Sequence, residues 1–183
     1  MKKEQWNEFL ERLKYWNLGE GVRNHGTANP IFEVKEKVRV YGLDSQYSEN
    51  SVWFDNENER SWDDIPSLLK DLDESGEIDD LFRETGDYNC KTVGDYLRLH
   101  EFDQEKFLER LGFNEVWYVE EWKHVNTHLT SEGAQRFIDR KQHDYGELKI
   151  WVDSLYWCFE FQEVIEAILN GEIGYIEKET NGN

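Results

Sequence analysis

Between Lys3 and Trp16 the apolar residues Trp6, Phe9, Leu10, Leu13 and Trp16 recur at intervals of three and four. That spacing lays one stripe along a helix. The stretch NLGEGVRNHGTANP that follows carries three glycines and a proline and ends it. Next, Phe32, Val34, Val38 and Val40 fall on one side at period two, with Glu33, Lys35, Lys37 and Arg39 on the other. This alternation predicts a half-buried strand. Residues 42–50 turn the chain, and SVWFD (51–55) reads as the antiparallel mate of that strand.

The middle is helical and thinly apolar. Ser61 followed by Asp64 predicts a capping box for a helix over 62–72, with Pro66 tolerated in its first turns. Ser75-Gly76 breaks it, and EIDDLFRE is a further short helix stopped by Gly86. Thr92 with Asp95 caps another, and Asp103 opens FDQEKFLERLG, closed by Gly112. The last third alternates again. EVWYVEEWKHV reads as a strand, Thr130 caps the helix SEGAQRFIDRK with Ala134, Phe137 and Ile138 inward, and LKIWVDS is a strand. FEFQEVIEAILNG is a helix that turns Phe161, Val164, Ile165, Ile168 and Leu169 inward and stops at Gly171. The final residues fray.

The pattern predicts an α+β fold: a small antiparallel sheet with flanking helices, an acidic helical middle section, and a C-terminal strand-helix-strand-helix module. By sections these are 1–55 (helix plus β-hairpin), 56–112 (acidic), 113–172 (C-terminal module) and a flexible tail, 173–183.

Composition supports a folded chain. Only 38% of residues are hydrophobic, but 15% are aromatic, eight of them Trp, which disordered acidic chains lack. Cys90 and Cys158 are too few for a disulfide framework, no secretory segment precedes them, and no stretch reaches the roughly 20 apolar residues of a membrane span. A soluble cytoplasmic protein, monomeric or dimeric, is expected.

The net charge of −19 is unevenly spread. Residues 1–54 balance eight acids with eight bases, whereas 55–87 carry thirteen acids against three bases. A field of that sign repels nucleic acid and steers the chain toward a basic protein surface. The densest acids are Asp63, Asp64, Asp71, Asp73, Glu74, Glu77, Asp79 and Asp80. Carboxylates four apart on a helix lie roughly 6 Å apart along its axis, so they can match every second phosphate of a strand rising about 3.4 Å per nucleotide. The same acids also serve as a solvated helical face.

Candidate chemistry is sparse. His124 and His128 stand four apart but fall on a strand end and before a helix cap, so they lack the helical spacing of a zinc pair. Cys158, among aromatics, has a thiol disfavoured as a thiolate, and Cys90 has only Lys91 beside it. Forty acids offer many carboxylate pairs and single out none. No phosphate loop or nucleophile elbow occurs. No catalytic residue, metal or cofactor is therefore assigned. One basic cluster stands out: Arg136, Arg140, Lys141 and His143. It serves the negative end of its helix, or it binds phosphate. With Asp144 it is the constellation an enzyme acting on nucleic acid or a nucleotide would use.

Two stretches carry a resemblance. GTANPIFEVKEKVRVYGLD followed by SVWFD resembles the N-terminal pattern of small accessory proteins from phages and mobile elements of Gram-positive bacteria. LTSEGAQRFIDRKQHDYGELKIWVDSLYWCFEFQEVIEAI resembles a C-terminal module of phage-encoded proteins, through its Thr-x-x-Gly start, its His-Asp-Tyr and its paired aromatics. Together they cover somewhat under half the chain; 56–112 matches neither. The resemblance implies anti-defence function, as in anti-CRISPR and anti-restriction proteins whose acidic surface occupies a nuclease's DNA channel. The partner it implies is a host nuclease, first the RNA-guided nuclease of type II CRISPR systems. It transfers no catalytic residue.

Overall fold

The amphipathic first segment is helix α1 (Lys3–Leu18), ended at Gly19, whose amide reaches back to the carbonyls of Lys14 and Tyr15. The computed structural model describes residues 1–24, 29–55, 57–84, 90 and 92–176, with backbone alone for 24, 79, 83, 84, 101 and 102. Among these residues the chain is an α+β protein of seven α-helices and five strands. The strands are β1 (Pro30–Leu43), β2 (Asn50–Asp55), β3 (Arg60–Trp62), β4 (Phe113–His128) and β5 (Leu148–Ser154). They form one sheet in the order β3-β2-β4-β1-β5.

The expected hairpin of β1 with 51–55 does not form. β2 pairs antiparallel with β3 and with β4, matching Val52 to Val116 and Trp53 to Glu115 and Trp62. Alternation marks a strand but not its partner. Here the residues between β1 and β2 include a 3-10 turn, Ser45–Tyr47, instead of a tight two-residue turn. The sixteen-residue β4 supplies the long partner from far along the chain.

Two compact units result: unit 1 is 1–38 with 121–183, and unit 2 is 39–120. The expected acidic section lies within unit 2, whereas the 1–55 and 113–172 sections each contribute to both units.

In unit 1, β1 and β5 pair antiparallel with Val34 opposite Ile150. One face of this pair carries Phe32 and Val34 against Ala134 and Phe137 of α6 (Ser131–Lys141), with Trp16, Val125, Ile138, Leu148 and Ile150 completing the cluster. Thr130 caps α6 as expected, its hydroxyl accepting from the Gly133 amide at 3.2 Å. A second cluster joins Leu13 of α1 to Leu155 and to Ile165 and Ile168 of α7 (Phe159–Leu169). The sequence reading of α7 needs correction here. Phe161 and Val164 are exposed, at 46% and 44%, because the Ile165–Ile168 stripe is the one that meets the Leu13 cluster.

Unit 2 is built on the helices α2 (Ile65–Ser75), α3 (Ile78–Glu84), α4 (Val93–Tyr96) and α5 (Glu101–Arg110). Its core gathers Trp53, Trp62, Leu68, Leu72, Phe82, Tyr96, Phe107 and Phe113. Two helix starts differ from expectation. Ser61 and Trp62 remain in β3, which buries the Trp62 ring, and α2 begins after Asp64, which accepts from the Ser67 amide at 2.7 Å. A helix starting at Trp62 would have put Pro66 at an interior position; starting at Ile65 it stands in the first turn, where its missing N–H costs nothing. α5 begins at Glu101 instead of after Asp103, because the His100 carbonyl accepts from the Asp103 and Gln104 amides. Thr92 caps α4 as read, and Gly76 ends α2 at φ +76°. The expected stop at Gly86 lies outside the described residues.

Candidate functional site

The negative charge belongs to unit 2, where 22 acidic residues face 8 basic ones, a net −14; unit 1 carries 18 against 13, a net −5. The acids singled out from the sequence divide into two kinds. Several hold unit 2 together. Arg60 sits 3.3 Å from Asp55, 2.8 Å from Glu77 and 3.8 Å from Asp71, with its guanidinium over the Trp62 ring at 5.4 Å. Asp71 also accepts from the Trp62 indole at 3.1 Å. Asp63 accepts from Arg39 at 2.8 Å, and Arg39 lies 4.6 Å over the Tyr118 ring. Asp64 is spent on the α2 cap. Others point outward. Asp73 and Glu74 are exposed at the end of α2, Glu74 only 3.8 Å from Lys70 across one turn. Asp80 is exposed on α3 and already engaged; the Asp79 side chain lies outside the described residues. Glu57 and Glu59, beside the turn to β3, are exposed as well.

Asp55 is the buried member of this set, 6% exposed. Burial by itself would raise its pKa. The Asn58 side chain, the Glu57 and Asn58 amides and Arg60 together outweigh burial and hold it below the ordinary 3.8. A carboxylate so depressed contributes stability at pH above its unfolded value, and that stability is lost as pH falls through the folded one. Unit 2 should therefore weaken on acidification below about pH 4. Asp55→Asn should flatten the difference between melting temperatures measured at pH 6 and pH 3. An unchanged difference would show that Asp55 is no part of the acid response.

The basic cluster read from the sequence separates into two places in unit 1. Lys141 and His143 both turn to Asp144, at 2.6 and 3.1 Å, on the exposed surface. Lys141 holds the Asp144 carboxyl below its usual range. Arg136 and Arg140 instead line a cleft with His128, Gly133 and Asp139. The four-residue constellation of Arg136, Arg140, His143 and Asp144 is thus not assembled around one space. His124 and His128 also go separate ways. His124 shares a 2.7 Å hydrogen bond with Thr127, while the His128 ring lies 5.8 Å from Phe137.

Sequence reasoning missed three surfaces. On the face of β1 and β5 away from α6, Trp122 and Trp151 approach edge-to-face at 6.0 Å, with Lys149 over both rings and Lys35 over Trp151. The period-two alternation of Lys35 and Lys37 with valines was its only signal. Tyr156, Trp157 and Phe159, between β5 and the start of α7, stand in solvent, Trp157 at 83% exposure. Cys158 among them is exposed, not lodged in an aromatic core, whereas Cys90 is buried, and burial raises its thiol pKa. The third surface is His128 within the arginine cleft.

No protein-family model, curated protein or solved structure matches the chain.

Proposed function

We propose that the chain is a stoichiometric binding protein whose acidic unit 2 engages a basic, nucleic-acid-binding surface of another protein. The reading rests on one observation. A net −14 is carried by a unit with its own hydrophobic core, so acids such as Glu57, Glu59, Asp73 and Glu74 are presented on a folded frame. Side chains already ordered by Arg60, Arg39 and the α2 cap lose little further entropy when a partner docks. Long-range charge of one sign raises the encounter rate with an opposite surface. The exposed aromatics of unit 1 favour binding over catalysis too, since Tyr and Trp dominate protein contacts.

The partner the sequence resemblance implies is a DNA-handling nuclease of a host defence system, the RNA-guided nuclease of type II CRISPR systems first. The protein then acts as an anti-defence inhibitor. Titration of the nuclease against a fixed DNA substrate tests this. Inhibition should saturate near one chain per nuclease and weaken with added salt. Loss of activity at far below one equivalent would indicate an enzyme and remove the reading.

A further inference from the structure

The arginine cleft of unit 1 has no part in the acidic-surface reading and points to a ligand of its own. We infer that Arg136 and Arg140 of α6, with His128 at the end of β4, form a binding site for a phosphate group.

In a chain with 40 acidic and 21 basic residues, a cation has many carboxylates to pair with. Arg12, Lys35, Arg39, Arg60, Lys70, Arg98 and Lys141 each stand within 4 Å of one. Arg136 and Arg140 make neither a salt bridge nor a hydrogen bond among the described residues. They are four apart on α6, so both guanidinium groups rise over the same side of the helix, roughly 6 Å apart along its axis. The one carboxylate in the cleft, Asp139, is taken by Gln135, whose amide nitrogen donates to it at 2.9 Å.

Beneath them, His128 Nε2 is shielded from solvent and has no hydrogen-bond partner among the described residues. A buried polar atom left in that state costs free energy, which a small turn of the ring toward a ligand in the cleft would recover. Burial first, and the Arg140 charge second, lower the His128 pKa. The ring therefore adds little charge near pH 7, and the positive charge of the cleft comes from the two arginines. Gly133 lets this ring sit against the first turn of α6: a Cβ there would stand 3.2 Å from Thr130 Oγ1 and 3.4 Å from His128 Nδ1.

Two forked guanidinium groups carry several N–H donors each, and the His128 ring lines the same cleft. Such forks hold a phosphate by paired, charge-assisted hydrogen bonds. The cleft measures ≈ 440 Å³, more space than a bare phosphate fills, and falls within the range of small-ligand sites. The ligand class is accordingly a phosphomonoester or phosphodiester with an organic group attached.

The test is a titration of the intact chain with inorganic phosphate, adenosine monophosphate and a short single-stranded oligothymidylate. It is followed by the NMR signals of the His128 ring and the arginine Nε–H groups. The His128 and Arg136/Arg140 signals should move together. Arg136→Gln and Arg140→Gln, both at exposed positions, should each weaken binding about 10- to 100-fold, as loss of a charge-assisted bond does. Lys141→Gln should leave binding unchanged, because Lys141 is held by Asp144. Tightest binding of the nucleotide would identify a free mononucleotide as the ligand class, and tightest binding of the oligomer a strand. Unmoved His128 and arginine signals with all three probes would overturn the site, as would full binding by Arg140→Gln. Neither result bears on the acidic surface of unit 2, whose charge variants leave this cleft intact.

Discussion

Phe107→Ala should destabilise unit 2 by about 3–5 kcal/mol, the range of a fully buried aromatic. The ring is fully buried and lies 5.2 Å from the Phe82 ring and 5.5 Å from the Tyr96 ring, so its removal leaves a cavity between two aromatics. Neither neighbour can collapse into the space easily. Phe82 is held on α3, Tyr96 on α4, and the Gln104 side chain ties the carbonyls of Tyr96 and Leu99 to α5. Unit 2 has unusual need of this core. It carries a net −14, and self-repulsion of that size works against the compact state. Against a total stability of about 5–15 kcal/mol for a domain, the variant should unfold at far lower urea, and earlier still at low salt where repulsion is least screened. A urea midpoint within error of the parent would mean that the Phe82–Tyr96–Phe107 cluster is not packed as described.

The repeating patterns made most elements legible. A stripe at three and four gives α1, alternation gives β1, and Thr at a cap gives α4 and α6, because each depends only on neighbours within a few residues. What failed was non-local. Besides its local partner β3, β2 pairs with β4, whose matched residues lie 58 to 68 positions away, and nothing in SVWFD states that. The face of α7 that is buried depends on where Leu13 and Leu155 stand, so periodicity alone puts Phe161 and Val164 inward. The candidate sites show the same division. That Arg136 and Arg140 share a face follows from their spacing. That Lys141 and His143 are consumed by Asp144, and that the His128 ring joins the arginines, required the end of β4 to be brought against α6. Among the acids, the sequence showed density but not employment. The three carboxylates around Arg60 were indistinguishable from Asp73 or Glu59 until β3 and α2 were in place.

That employment decides how the acidic surface is to be tested. Reversing Asp71 or Glu77 to lysine would set a cation beside Arg60 and strip the Trp62 indole or Arg60 of its acceptor. Loss of binding in such a variant could come from unfolding alone. Glu57, Glu59, Asp73 and Glu74 are exposed and serve no buried group; Glu74 gives up only an exposed pair with Lys70, which contributes about 0.3–0.5 kcal/mol. Changing these four to lysine moves unit 2 from −14 to −6 while leaving Asp55, Asp64 and Asp71 in their structural roles. If unit 2 meets arginines and lysines that otherwise hold phosphates, the fourfold variant should associate with its nuclease at least tenfold more slowly at low salt. The parent should lose most of that advantage as the Debye length shortens to about 8 Å at physiological ionic strength. Target DNA should compete with the parent for the nuclease, and circular dichroism and the melting temperature of the variant should stay close to the parent's. Equal association rates for the two proteins, or a ternary complex of nuclease, DNA and parent chain, would overturn the mimicry of nucleic acid.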